Sequence, residues 1–254
     1  MKFKTTPYHS DLLKDNDRLA VFFEAINDSQ GQLAYDLGCG SGILSYFLSS
    51  HFDEILSFEM DFKAANCAKE NLVDFQNVHV INEDVLSYDF TKKADLIVCE
   101  MLDTALIDEE EIPVLNHVKQ FLKDDGKIIP QGIINTAELV NLEREYVHWD
   151  EEGAKYESFS KPVVYSELNF LDEIYPDFEE IISFKPMKEG EINGIKITTY
   201  TILNDNLICG PTPMLNPPLL IPLEEKSVKG NEFIKVKLKY IMGNGIESIK
   251  ANYV

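Results

Sequence analysis

The sequence predicts an α/β fold: a Rossmann-like domain built on a mostly parallel sheet, followed by a smaller β-rich, barrel-like domain. Three observations predict it. Short apolar runs of strand length alternate with helical patterns through the first 130 residues, a glycine-rich turn follows the first of these runs directly, and beyond Pro130 the pattern changes to period-two alternation.

Each element is justified in turn. A helical segment around His9 to Arg18 opens the chain. Gln32 to Leu37 then reads as a strand, Ile43 to Ser50 as a helix, Glu54 to Glu59 as a strand, Phe62 to Phe75 as a helix and Val78 to Ile81 as a strand. Such alternation implies βαβ units and parallel pairing. Ala94 to Cys99 is a near-continuous apolar run, expected of a central strand covered on both faces. Glu110 to Leu122 has helical spacing, and Asp124-Asp125-Gly126 is expected to close that helix. Past Lys127-Ile128-Ile129-Pro130, the segments Ile195 to Ile202 and Phe233 to Ile241 alternate as strands do, the latter read as the final strand. The expected division is residues 1–130 as a ligand-binding domain with an N-terminal helical segment, and 131–254 as a β-rich substrate or dimerisation domain.

The formal charge is −21, from 44 acidic and 23 basic residues among 254. Such a surface repels nucleic acid and favours encounter with a cationic partner. No apolar run approaches the roughly 20 residues that span a bilayer, and the first residues lack an apolar signal core, so a soluble cytoplasmic protein with no membrane association is expected. Cys39, Cys67, Cys99 and Cys209 stand far apart with no C-x-x-C pair, which argues against structural zinc and disulfides.

The chemistry concentrates in Asp36-Leu37-Gly38-Cys39-Gly40-Ser41-Gly42. Glycines let the backbone turn sharply and let a ligand lie against it. The third glycine comes one position too early for the dinucleotide pattern G-x-G-x-x-G, and Asp36 would repel a pyrophosphate. An acid there suits a ligand carrying a cationic amino group and a sulfonium, which is S-adenosyl-L-methionine. In open α/β sheets the ligand sits beyond the carboxyl ends of the strands, and four acids, Asp36, Glu59, Asp84 and Glu100, fall at four successive strand ends. Glu59 can accept both ribose hydroxyls. Asp84 can accept from the adenine amino group beside backbone bonds from Val85, and it can equally serve as a helix cap.

From here the chain resembles the protein arginine methyltransferases, a family of class I S-adenosylmethionine-dependent enzymes. His9-Ser10-Asp11-Leu12-Leu13-Lys14-Asp15-Asn16-Asp17-Arg18 matches that family's segment upstream of the glycine loop. The resemblance implies that Arg18 holds the donor's carboxylate, a task suited to a planar two-pronged cation. Arginine otherwise occurs only at position 144. The resemblance also implies that Glu100 and Glu109, nine residues apart, are the catalytic pair that binds and orients a guanidinium nitrogen. Glu109-Glu110-Glu111, just before Pro113, would also serve as the acidic first turn of a helix.

The resemblance covers the first half of the chain well and the β-rich half more weakly. Where the family carries Thr-His-Trp, the chain reads Thr212-Pro213-Met214, and Met101 stands where a tryptophan usually follows the first glutamate. The expected function is therefore an N-methyltransferase acting on a guanidinium or similar cationic nitrogen, of a protein or a small molecule. The alternatives are another acceptor, a small metabolite or a different protein nitrogen, and a non-catalytic S-adenosylmethionine-binding module. The resemblance further implies a homodimer.

Overall fold

The computed structural model describes residues 3–150, 153–230 and 232–254. Two short helices open the chain, and local capping chemistry sets where each begins. In α1 (Pro7–Leu12) the hydroxyl of Thr6 accepts the N–H of His9, and in α2 (Asn16–Asn27) Asp15 accepts the N–H of Arg18 at 3.0 Å. There follow β1 (Gly31–Leu37), α3 (Ile43–Leu48), β2 (Phe52–Phe58), α4 (Phe62–Asn71), β3 (Val78–Ile81), β4 (Ala94–Cys99), α5 (Glu111–Val118) and β5 (Leu122–Ile129).

The five strands pair in parallel in the order β3-β2-β1-β4-β5. The central strands β1 and β4 bury successive residues on both faces, Leu33 to Leu37 on one and Leu96 to Cys99 on the other. Both were legible as apolar runs because a parallel sheet covered by helices leaves neither face to water.

One expectation fails here. Asp124-Asp125-Gly126 does not close a helix; α5 ends at Val118, a single three-ten turn follows, and the three residues lie inside β5. They form a bulge, since Ala94 pairs with Leu122 but Leu96 already pairs with Lys127. The turn-forming residues serve to push an exposed arch out of the sheet edge rather than to end a helix.

The switch from parallel to antiparallel pairing falls across Pro130 and Gln131. Beyond it come β6 (Gly132–Leu142), β7 (His148–Trp149), β8 (Tyr156–Ser158), β9 (Val163–Asn169), β10 (Asp177–Phe184), β11 (Gly190–Asn204), β12 (Leu207–Cys209), β13 (Leu219–Val228), β14 (Ile234–Ile241) and β15 (Lys250–Tyr253). One sheet runs β7-β13-β11-β6-β8, with β9 also on β6 and β12 on β11; another runs β10-β14-β15. The strand expected to be last is thus followed by β15, whose four residues are too few to display an alternation.

A large cluster of buried apolar side chains extends from Phe22 to Met242 and includes residues of both sheet systems, with a small second one at Val140, Leu142 and Leu220. The long strand β11 is central to this arrangement. Its register against β6 runs from Gly194 opposite Val140 to Ile202 opposite Gly132. Thr199, on this strand, reaches the loop that follows β4, so the antiparallel sheet directly supports the edge where the parallel strands end.

Candidate active site

A cavity of about 260 Å³ opens at the carboxyl ends of the parallel strands. Arg18, Gly38, Gly40, Glu59, Asp84, Val85, Glu100 and Glu109 all line it. The topology explains the convergence, because each βα turn of a parallel sheet delivers its residues to the same edge. Asp36 and Gly42, also singled out in the sequence, lie outside the lining. The Asp36 carboxylate is 1% exposed and accepts the hydroxyl of Ser45 from α3, which in turn meets Ser57 of β2 at 2.7 Å. Asp36 therefore fastens β1, α3 and β2 together beneath the glycine loop.

The loop glycines are needed for distinct reasons. Gly40 has φ +54°, and a Cβ there would come within 2.6 Å of the His9 ring, which itself lines the cavity. Gly42 has φ +88° and starts α3; a Cβ there would meet Leu72 at 2.6 Å, so its small size serves packing as well as backbone freedom. Glu59 pins the loop with one oxygen, which accepts the N–H of Gly40 at 2.9 Å, while the other accepts that of Asp61 at the start of α4 at 2.8 Å. Asp84 accepts the N–H of Leu86 at 2.9 Å, so it caps a short turn and lines the cavity at once.

Arg18 is 3% exposed and forms an ion pair through Nη2 with Glu100. Burial pushes its pKa down and Glu100 pushes it up, with the second prevailing, so the guanidinium stays charged. Its Nε and Nη1 are buried with no partner among the described residues. Such unmet donors on a buried cation call for an acceptor group of a ligand, and the α-carboxylate of an amino-acid-bearing donor fits them. No group of three or more metal-ligating side chains occurs among the described residues.

The loop from Glu100 to Glu109 is built on residues the sequence did not single out. Asp103 accepts the N–H groups of Asp108 at 3.0 Å and Glu109 at 3.4 Å, closing the loop on itself. Ala105 and Leu106 take φ +61° and +59°, a conformation costing about 1–3 kcal/mol per residue that persists only under external restraint. The β-rich half supplies the restraint. Thr199 accepts the N–H of Ala105 at 2.8 Å, Thr104 donates to the carbonyl of Pro217 at 2.5 Å, and the N–H groups of Gly243 and Gly245 bond the carbonyls of Leu106 and Ile107, each at 2.9 Å.

Asp15 performs a related task across the site. Its second carboxylate oxygen accepts the Thr212 hydroxyl and, at 3.0 Å, the N–H of Met214, which places Met214 in the cavity lining. No local pattern could have signalled this latch, because its partners are 197 and 199 residues apart.

Three buried acids give the site a pH signature. Burial pushes Asp36 and Asp103 each to about 7, and Glu111 to about 8, against ordinary values of 3.8, 3.8 and 4.5. In each case the folded state binds its proton more tightly than the unfolded chain, so the contribution favours folding at low pH and is lost as pH rises between about 4 and 8. One pKa unit corresponds to about 1.4 kcal/mol, so each group contributes a few kcal/mol at most. His9 opposes them, since burial holds its imidazole below the ordinary 6.5. The donor-free protein is expected to melt at a lower temperature at pH 8 than at pH 5.5, and Asp103→Asn should flatten the difference. Calorimetric scans across that range check this; a melting temperature that rises with pH would refute it.

Comparison with known proteins shows the family and the fold. Residues 19–154 match the model of the family described as ribosomal protein L11 methyltransferase (PrmA). The chain belongs to this methyltransferase family. The methyltransferase is 46% identical, over all 254 residues and the whole of the relative, to an uncharacterised protein of Methanothermobacter thermautotrophicus. It is 27% identical over 190 residues to protein arginine N-methyltransferase 2 of Xenopus tropicalis, covering 69% of this chain and 43% of that one. Among solved structures, the Trypanosoma brucei PRMT1 enzyme-prozyme complex with AdoHcy superposes with a TM-score of 0.80 over 92% of this chain and 87% of that chain, at 15% identity. That likeness establishes the fold, a class I methyltransferase domain followed by a β-rich one. The methyltransferase thus uses S-adenosylmethionine as its donor. Among the described residues, no helix is long and apolar enough to cross a membrane.

Proposed function

We propose that this S-adenosylmethionine-dependent enzyme is an N-methyltransferase whose acceptor is a guanidinium or similar cationic nitrogen. The observation that carries this reading is that Glu100 and Glu109 line one cavity together with Arg18 and the glycine loop. When bound, S-adenosylmethionine supplies a methyl group made electrophilic by its sulfonium.

In this reading Arg18 receives the donor carboxylate through its unpartnered nitrogens, Glu59 the ribose hydroxyls, and Asp84 with Val85 the adenine edge. Gly38 and Gly40 allow close approach, while Asp36 and Gly42 hold the loop from below. Glu100 and Glu109 accept N–H bonds from the acceptor, concentrating electron density on the nitrogen and orienting its lone pair. Their fixed charge stabilises the positive charge that develops there, and one of them would take the proton released when the N–C bond forms at the expense of the donor's S–C bond, whose electron pair would stay on sulfur as a neutral thioether. Burial, reinforced by the charge of Glu100, raises the pKa of Glu109, which favours its acting as that base. Residues 1–130 would then hold the donor and 131–254 brace the acceptor loop, in a cytoplasmic homodimer.

A second reading keeps the donor and changes the acceptor to a small metabolite or another protein nitrogen. It draws support from Met101 and Met214 in the lining, since neither thioether offers a planar surface or an imidazole to a guanidinium. The deciding experiment is transfer of label from methyl-labelled S-adenosylmethionine into native cell extract, followed by protease treatment and product identification. Methylarginine in protein is the expected outcome. Label confined to small molecules, or on another protein nitrogen, would transfer the assignment to the second reading.

A further inference from the structure

Glu111 is the first residue of α5 and is fully buried, yet it does not cap that helix. Its carboxyl reaches back to the end of β4, where Oε2 accepts the N–H of Met101 at 3.0 Å and the thiol of Cys99 at 3.4 Å. These two residues flank Glu100. The other oxygen, Oε1, is buried with no partner among the described residues. Glu111 is absent from the cavity lining, so its reach to the site runs through the backbone on either side of Glu100.

We propose that Glu111 is a positioning residue: by gripping the groups before and after Glu100, it aims that side chain at once toward Arg18 and toward the site of methyl transfer. The inference rests on the reading above that Glu100 faces the transferred group. A backbone N–H at the end of a strand has no ladder partner and leaves the local turn free to rotate; a buried acceptor removes that freedom. Burial also favours the neutral acid, with Glu100 and Glu109 acting in the same direction. A neutral Glu111 adds no like charge behind the two glutamates. An apolar residue there would leave the Met101 N–H unsatisfied and Glu100 unaimed.

The test needs no acceptor. S-adenosylhomocysteine lacks the transferred methyl, whereas sinefungin carries a protonated amine at that position, so the ratio of their affinities reports whether carboxylates point there. Calorimetry on the wild-type enzyme should give sinefungin an advantage of about tenfold or more, equivalent to about 1.4 kcal/mol. Glu111→Leu is expected to leave the S-adenosylhomocysteine affinity within about twofold while abolishing that advantage. Glu111→Gln should restore it, because its amide oxygen can accept the same N–H.

Glu111→Met, of similar length, serves if the leucine variant does not fold. An apolar variant that folds and keeps the full preference overturns the inference, as does a common fall in both affinities together with melting temperature, the signature of a purely structural role. Glu100→Gln separates the two levels. If it leaves the preference intact, the underlying reading of Glu100 is wrong; if it abolishes the preference while Glu111→Leu does not, only the positioning role fails.

Discussion

Glu109→Gln is expected to lower methyl transfer by about 100- to 1,000-fold while changing S-adenosylhomocysteine affinity by no more than about twofold, the range found when one fixed electrostatic stabiliser is removed from an active site. The substitution keeps size and shape while deleting the charge and turning one acceptor oxygen into an N–H donor. Glu109 is well placed for such a separation, because its backbone is fixed by Asp103 independently of its side chain. It lies on the cavity wall but makes no hydrogen bond or ion pair to Arg18 or the glycine loop, whose contacts are made by Glu100 and Glu59. The measurement is the initial rate of label transfer into extract at saturating donor, alongside calorimetric titration with S-adenosylhomocysteine. A variant with wild-type turnover would remove Glu109 from the mechanism, and one that lost donor binding in proportion would reassign it to the donor.

Arg18→Ala should have the largest effect on both stability and donor affinity. Arg18 and Glu100 are both largely buried, with side-chain exposures of 3% and 10%. Removing one partner of a buried ion pair leaves the other charge uncompensated, at a cost of about 3–5 kcal/mol. Donor affinity should fall by at least about 100-fold, since Arg18 is the only arginine or lysine lining the cavity among the described residues and six of the remaining lining residues are acidic: Glu59, Glu83, Asp84, Glu100, Glu109 and Glu110. Arg18→Lys should recover little of the binding, because a point charge cannot serve Glu100 and a ligand carboxylate with the same fork. The stability loss is a property of the pair, so Arg18→Ala combined with Glu100→Gln should melt above Arg18→Ala alone while still failing to bind donor. Thermal melts and titrations of the three variants check both statements; equal melting of the single and double variants would show that the pair does not carry the effect.

These expectations show where the site was legible from sequence. The glycine loop and the acids at strand ends could be read because a βα unit is local: once a strand and the following turn are recognised, the position of the next residues at the sheet edge follows. That reasoning found six residues that line the cavity, Gly38, Gly40, Glu59, Asp84, Val85 and Glu100, while Arg18 and Glu109 came from the family resemblance; it also found Asp36 and Gly42, which act one layer lower. It misplaced Asp124-Asp125-Gly126, since turn-forming residues mark a local departure from regular structure without specifying whether it is a helix end or a bulge. It passed over Asp103, and it read Glu111 only as part of the acidic first turn of a helix. Nothing in their spacing distinguishes an acid that caps a helix from one that turns inward to hold the strand behind it.

The amino-acid sequence by itself determined the two-part architecture, the donor and the edge of the sheet at which the cavity opens. Those features depend on periodicity and on short turns, whose physics acts over a few residues. Only the tertiary structure decided which acids are paired, which are pushed toward protonation and which strained loop can persist. Arg18 meets Glu100 across 82 positions, Thr199 holds Ala105 across 94, and Thr212 reaches Asp15 across 197. Burial and pairing set the charge state of a carboxylate, and both come from contacts between segments whose separation along the chain leaves no local pattern to read.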